Sequence, residues 1–99
     1  MAEIVLLFAA EGDALSIYAL YEERGSGRGE LFSADLEHVV ELLREFPRLA
    51  PVFAEPFHRL KLSRHPYAIF YEVAGNRVIV HSILSDRESD HFIRRRLDL

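Results

Sequence analysis

The stretch that decides the fold runs from Phe57 to Leu84 and reads FHRLKLSRHPYAIFYEVAGNRVIVHSIL. It contains three runs rich in Leu, Ile, Val, Phe and Tyr, which favour strands because these side chains fit a pleated, half-buried surface. The second and third runs, Tyr67–Val73 and Arg77–Leu84, are separated by Ala-Gly-Asn, and Gly and Asn tolerate the positive φ of tight hairpin turns. Pro66 interrupts the chain between the first two runs because it has no N–H for a ladder. The stretch therefore predicts a three-stranded antiparallel meander.

The residues before the meander predict one strand and two helices. The mostly apolar run Glu3–Phe8 is typical of a buried strand. Apolar side chains at helical spacing predict helices over residues 10–24 and 30–46, with the glycine-rich segment 25–29 as the turn between them. We expect Asp13 to cap the first helix or lie in its first turn, and Asp35 to lie on the polar outer face of the second.

The remaining segments complete the predicted topology. Residues 48–56 contain two prolines and are interpreted as an irregular crossing, and residues 91–97 as a short terminal helix with Arg94–Arg96 facing solvent. The fold class is therefore α+β, in the order β-α-α-β-β-β, with a helical hairpin packed on a small antiparallel sheet and a short C-terminal helix. Residues 1–99 form a single domain, and the position of the first strand in the sheet is left open.

The composition and the charge distribution of the chain indicate its cellular environment and the kind of partner it binds. The chain has no cysteine, which suits a reducing cytoplasm, and its N-terminal residues carry no basic segment of the kind that signal peptides have. The net charge is −4, but residues 1–56 have a balance of −7 and residues 57–99 a balance of +3. This split indicates either a basic surface that meets an anionic partner or mutual neutralisation of an acidic helical layer and a basic sheet.

The first strand of the meander carries the best candidate surface. Successive side chains of a strand point to opposite faces, which places Arg59 and Lys61 on one face and Leu60 and Leu62 on the other. The leucine face is expected to meet the helices, so the two cations point to solvent or to a partner. A solvated strand face with nearby acids such as Glu72 is the alternative.

Several short motifs resemble the ParE/RelE superfamily of bacterial toxins from type II toxin–antitoxin systems, and the ParE-like, plasmid-stabilisation branch most. They are Phe46-Pro47, Arg59-Leu60, the block Arg64–Tyr71, the hairpin Val73–Val80 and Ser85-Asp86-Arg87. The resemblance implies a functional Arg87 just after the last strand. Two features depart from the family pattern: the chain is acidic overall, and Ser85 stands where a histidine is common.

The resemblance implies two activities, and a third class stays open. A ParE-like toxin inhibits DNA gyrase, is not an enzyme and is neutralised by a cognate antitoxin in a toxin–antitoxin hetero-oligomer. A RelE-like toxin is an endoribonuclease acting on ribosome-bound mRNA, with Arg59, Lys61 and Arg87 stabilising the phosphate and His65 or Tyr67 as base. The third possibility is a non-toxic binding module on the same fold.

The candidate residues have structural alternatives. For binding the target or antitoxin, we select Arg59, Lys61, Arg64, Tyr71 and Arg87. Tyr67 and Tyr71 also fit the edge of the core, and His65 fits a structural role at a strand end. The histidines lack metal-ligand spacing, and we expect no metal, no cofactor and no membrane association.

Overall fold

The computed structural model describes residues 1–99 and contains five strands and three helices in one mixed sheet with a helical layer. The strands are β1 Glu3–Leu6, β2 Val52–Ala54, β3 Phe57–Lys61, β4 Tyr67–Ala74 and β5 Arg77–Ser85. The helices are α1 Phe8–Arg24, α2 Arg28–Glu45 and α3 Asp90–Arg96. The α+β class and the element order are confirmed, with β2 as an additional strand. No helix combines the length and the apolar content needed to cross a bilayer.

The meander β3-β4-β5 is antiparallel as predicted, and the sheet order is β1-β5-β4-β3-β2. Ala74 pairs with Arg77, so Gly75 and Asn76 form the two-residue turn, and Gly75 has a φ of 60°. The sheet is mixed rather than purely antiparallel because β1 pairs with β5 in parallel. This pairing places β1 at one edge of the sheet.

Three element boundaries differ from the sequence prediction. The first strand ends at Leu6 and α1 begins at Phe8, so the apolar run passes from strand into helix, and Phe8 is 90% exposed. Asp13 therefore lies within α1 and is not its cap. The crossing segment contains β2, a short edge strand with an irregular register against β3, and prolines are tolerated beside such edges.

The helical hairpin covers one face of the sheet. A core of 13 buried residues, including Ile17, Phe32 and Ile69, lies between α1, α2 and this face. The turn between the helices is glycine-rich as predicted, but Gly29 lies inside α2. A Cβ at Gly29 would come within 3.0 Å of the Tyr18 ring, so this glycine allows the two helices to approach closely.

The opposite face of the sheet is partly covered by α3. Ile93 and Leu97 of this helix pack with Phe57, Phe70 and neighbouring residues in a second core of six buried side chains. Arg94 and Arg95 are exposed, as predicted, but Arg96 turns inward and pairs with both carboxylate oxygens of Asp13 at 2.9 and 2.8 Å. Helix α3 is thus tied to α1 as well as to the sheet.

Candidate functional site

Two arginines flank one aromatic ring on the α3 face of the sheet. The guanidinium carbon of Arg59 lies 5.3 Å from the centroid of Phe53, and that of Arg94 lies 5.6 Å from it. Both distances are within the range of cation–π attraction. Lys61 is two residues from Arg59 on the same face of β3 and is exposed. We call Phe53, Arg59, Lys61 and Arg94 the cationic surface.

The three cations of this surface have no carboxylate partner. Three of the eleven arginines do form ion pairs, Arg44 with Glu41, Arg77 with Glu3 and Arg96 with Asp13, and none of these three belongs to the cationic surface. Glu72, the acid expected near Arg59, instead lies 3.9 Å from His81. Although the chain has sixteen acidic residues against twelve lysines and arginines, none of these acids forms an ion pair with the three cations. The surface therefore favours an anionic partner.

Arg87 lies at the same end of the sheet as Lys61. Lys61 pairs with Ala68, and Ala68 pairs with Leu84, so two strand spacings of about 4.8 Å each separate Lys61 from the end of β5. Arg87 follows in an exposed turn, where its N–H donates to the Ser85 hydroxyl at 3.2 Å. It has no ion pair with either neighbouring acid, so it can extend the cationic surface toward this end.

The loop between β3 and β4 is held by a buried carboxylate on α2. Asp35 accepts hydrogen bonds from the backbone N–H of Ser63 at 3.1 Å, the backbone N–H of Arg64 at 2.9 Å and Nδ1 of His65 at 2.7 Å. The residue is 6% exposed, so the expected position on a polar outer face was wrong. Burial raises the pKa of Asp35, but these three hydrogen bonds outweigh it and hold the pKa below its ordinary value.

His65 and Tyr67 lie on the helix side of the sheet. The His65 ring lies nearly perpendicular to the rings of Tyr21 and Phe32, with centroid distances of 5.0 and 5.7 Å. Tyr67 packs against the same two rings. Arg59 and Lys61 are on the opposite, α3 side. The structure therefore does not bring the predicted proton-transfer groups to Arg59 and Lys61, whereas the third predicted cation, Arg87, follows the end of β5, where Ser85 pairs with Tyr67.

Tyr71 is a core residue rather than a contact residue. It is 0% exposed and stacks on His58 at 5.1 Å, and His58 in turn bonds the carbonyl of Ala50 through Nδ1. Its predicted role in surface binding is therefore wrong, because β4 is central and this side chain points to the helices. Burial raises the pKa of the Tyr71 phenol against the smaller, lowering effects of the Ala50 backbone and the Arg48 charge, and the hydroxyl makes no hydrogen bond of good geometry.

Replacing Tyr71 with phenylalanine should leave the protein as stable or stabilise it by up to about 1 kcal/mol, because the change removes an unpaired buried hydroxyl without removing the ring. Tyr71→Ala, which deletes the ring, should destabilise by about 3–5 kcal/mol. Urea denaturation measures both. A loss above about 1 kcal/mol in Tyr71→Phe would show that the hydroxyl has a partner.

Three residues of these sites were not selected from the sequence. Phe53 lay in the crossing segment, and Arg94 lay in a terminal helix face for which exposure to solvent was preferred over binding of an anionic partner. Asp35 did carry a signal: it is three residues after Phe32 and four before Val39, so helical spacing places it on the apolar stripe. A carboxylate on such a stripe needs buried donors, and the loop supplies them.

Comparison with known proteins gives one family and one fold. The family model described as the ParE toxin of type II toxin–antitoxin system, parDE, matches residues 4–90. A solved structure titled as the chromosomal ParDE toxin–antitoxin system from P. aeruginosa superimposes with a TM-score of 0.68 at 20% identity, over 86% of this chain and 96% of that one. None of the curated protein sequences compared is significantly similar to this chain.

Proposed function

The chain belongs to the ParE toxin family of type II toxin–antitoxin systems, and from this premise we propose that it inhibits DNA gyrase and is neutralised by a cognate antitoxin. The observation that carries the proposal is the cationic surface, where Arg59 and Arg94 lie against Phe53, Lys61 is exposed on the same face, and none of the three cations has a carboxylate partner. We assign it to contact with an anionic protein partner. Arginines seated on aromatic rings are common anchors of protein interfaces because much of the side chain is already fixed.

The position of the candidate base favours a non-enzymatic inhibitor over a ribonuclease. A ribonuclease needs its base within hydrogen-bond reach of the 2′-hydroxyl while the cations hold the adjacent phosphate. His65 donates through Nδ1 to Asp35 and lies on the helix side, whereas Arg59 and Lys61 lie on the α3 side. Binding of gyrase requires only a complementary surface, which the cations provide.

The antitoxin is proposed to place an acidic segment on the cationic surface. Carboxylates there would form charge-assisted hydrogen bonds with Arg59 and Arg94, whose rigid forks suit bidentate contact. Such a contact would cover the cations and block gyrase by direct competition. Co-expression with a small reading frame adjacent to this one should yield a stable complex and restore growth.

Expression of the chain alone in bacteria tests the proposed target. We expect growth arrest and loss of negative supercoiling with intact mRNA. Translation-dependent cuts within codons would instead support the ribonuclease, and normal growth with normal supercoiling and mRNA would support the non-toxic module. Either of these outcomes overturns gyrase inhibition.

Alanine variants of the cationic surface test the site. Arg59→Ala and Arg94→Ala should each raise the concentration that inhibits gyrase supercoiling by half about tenfold, the effect of losing one charge-assisted contact. Arg48→Ala removes the same charge from an exposed position elsewhere and serves as the matched control. Wild-type potency in both surface variants, with normal thermal unfolding, would exclude the cationic surface as the contact site.

A further inference from the structure

A second site lies on the helix side, between α2 and the loop that follows β3. It is a groove of about 560 Å³ walled by Leu31, Ala34 and His38 of α2 and by Ser63, Arg64 and His65 of the loop, with Asp35 at its base. We call it the loop groove. Its size is within the range of small-molecule sites, about 300–1,000 Å³. The cationic surface is on the other face of the sheet, so the loop groove is a separate feature.

The groove presents donors and positive charge but no free carboxylate. Asp35 is its one acid, and both oxygens of that carboxylate already accept hydrogen bonds from the loop. The side chain of Asp35 is 2% exposed, so a ligand in the groove would meet little of its charge directly. The neighbouring Glu37 is not among the lining residues. The accessible polar groups are therefore those of Arg64, His38, Ser63 and His65.

The arrangement of these groups suits a tetrahedral oxyanion. Arg64 is exposed and has no ion-pair partner, so its guanidinium is available for bidentate contact with phosphate oxygens. The Ser63 hydroxyl on the loop and the His38 ring on α2 are further donors on the two walls of the groove. The backbone N–H groups of Ser63 and Arg64 bind Asp35, whereas the N–H of His65 has no protein acceptor.

The loop is also fixed before any ligand arrives. Three hydrogen bonds to Asp35 set the path of the backbone, and the His65 ring is wedged against Tyr21 and Phe32. A preorganised loop lowers the entropy cost of binding. Leu31, which is 64% exposed, adds an apolar wall beside the donors that can contact a ribose or a base.

We propose that the loop groove binds the phosphate of a nucleotide, with Arg64 and His38 as the main contacts. The phosphate could belong to a free nucleotide or to a strand of RNA, because both present the same oxyanion beside a ribose. The proposal is independent of the toxin assignment, since it uses none of the residues of the cationic surface. It adds a ligand site to a protein whose proposed partners are proteins.

Titration of the purified full-length chain tests the proposal, with inorganic phosphate, adenosine 5′-monophosphate and a short single-stranded RNA as separate probes. NMR of the histidine side chains should show shifts of the His38 and His65 signals on adding the nucleotide. Arg64→Ala should weaken nucleotide binding at least about tenfold, and His38→Ala should weaken it several-fold. Both residues lie outside the core, so both variants should fold.

The outcomes are distinct. Saturable binding of the monophosphate that depends on Arg64 supports the proposal with a free nucleotide as ligand, and binding of the RNA alone with the same dependence supports it with a strand. The matched control Arg48→Ala should bind as the wild type does. No saturable binding of any probe at millimolar concentration, or equal binding by wild type and Arg64→Ala, would refute it.

Discussion

Replacing Asp35 with alanine should lower the free energy of unfolding by about 3–5 kcal/mol, because hydrogen bonds to a buried charged group contribute about 1.5–3 kcal/mol each and are not fully additive. The substitution removes the acceptor of His65 Nδ1 and of two backbone N–H groups. Those donors cannot find a replacement unless the loop moves into water. Urea denaturation monitored by circular dichroism measures the loss.

Two variants separate the role of this carboxylate from a general effect of charge. Glu37→Ala removes an exposed acid from the same helix and should change stability by no more than about 0.5 kcal/mol. Asp35→Asn keeps one acceptor oxygen but loses the charge, so its loss of stability should lie between those of Glu37→Ala and Asp35→Ala. If Asp35→Ala were as mild as Glu37→Ala, the three hydrogen bonds would not hold the loop.

The same carboxylate should make stability depend on pH. Since the pKa of Asp35 is lower in the folded chain than in the unfolded one, its contribution is fully present above the unfolded value of about 3.9. The contribution is lost as the pH falls through the folded pKa, where protonation of the carboxylate weakens the three hydrogen bonds that it accepts. Wild type should therefore lose more stability than Asp35→Asn between about pH 5 and pH 3, as measured by denaturation at each pH. Equal losses in the two proteins would contradict the lowered pKa.

The sequence predicted the parts of this fold that follow from local patterns. The meander, the Gly75 turn and the helical hairpin each rest on spacing or turn chemistry within a few residues of one another. Arg59 and Lys61 were placed on a shared face of β3 for the same reason, since alternation along a strand is local. The family followed from motifs spread over the same segments.

What the sequence left out depends on contacts between distant segments. The meeting of Arg59 and Arg94 at Phe53 joins three elements, and no spacing within one element indicates it. The parallel pairing of β1 with β5 is equally non-local. Asp35 was assigned to the polar surface of α2, and Asp13 to the cap or first turn of α1, because carboxylates usually occur at such exposed positions. The donors that bind Asp35 lie 28 to 30 residues away in the chain, and those that bind Asp13 lie 70 to 83 residues away.

Asp13 is the second residue whose loss should have a large effect. Helix α1 turns away from the sheet after Leu6, so the edge of β5 beyond Val80 has no neighbouring strand, and Asp13 accepts from the free N–H of Ile83 at 3.0 Å. The same carboxylate binds Arg96 of α3. It therefore joins α1, β5 and α3 at one point.

Asp13→Ala should destabilise the chain by about 2–4 kcal/mol, because it leaves a strand N–H without its acceptor and an arginine without its partner. Arg96→Ala removes only the ion pair, which is partly exposed, so about 1 kcal/mol is expected. The double variant should be no less stable than Asp13→Ala alone, since the second change breaks nothing further. A loss in Arg96→Ala as large as in Asp13→Ala would show that the Ile83 bond contributes little.

The loss should also be local to α3, whose seven residues are too few to remain helical without tertiary contacts. Amide hydrogen exchange in residues 90–97 should rise more in Asp13→Ala than exchange in β4, which lies at the centre of the sheet. Because α3 carries Arg94 to Phe53, the proposed inhibition of gyrase should also be weaker in the variant at temperatures where the rest of the chain is folded. Unchanged exchange in α3 would mean that Ile93 and Leu97 alone hold the helix, and the cationic surface would then form without the help of Asp13.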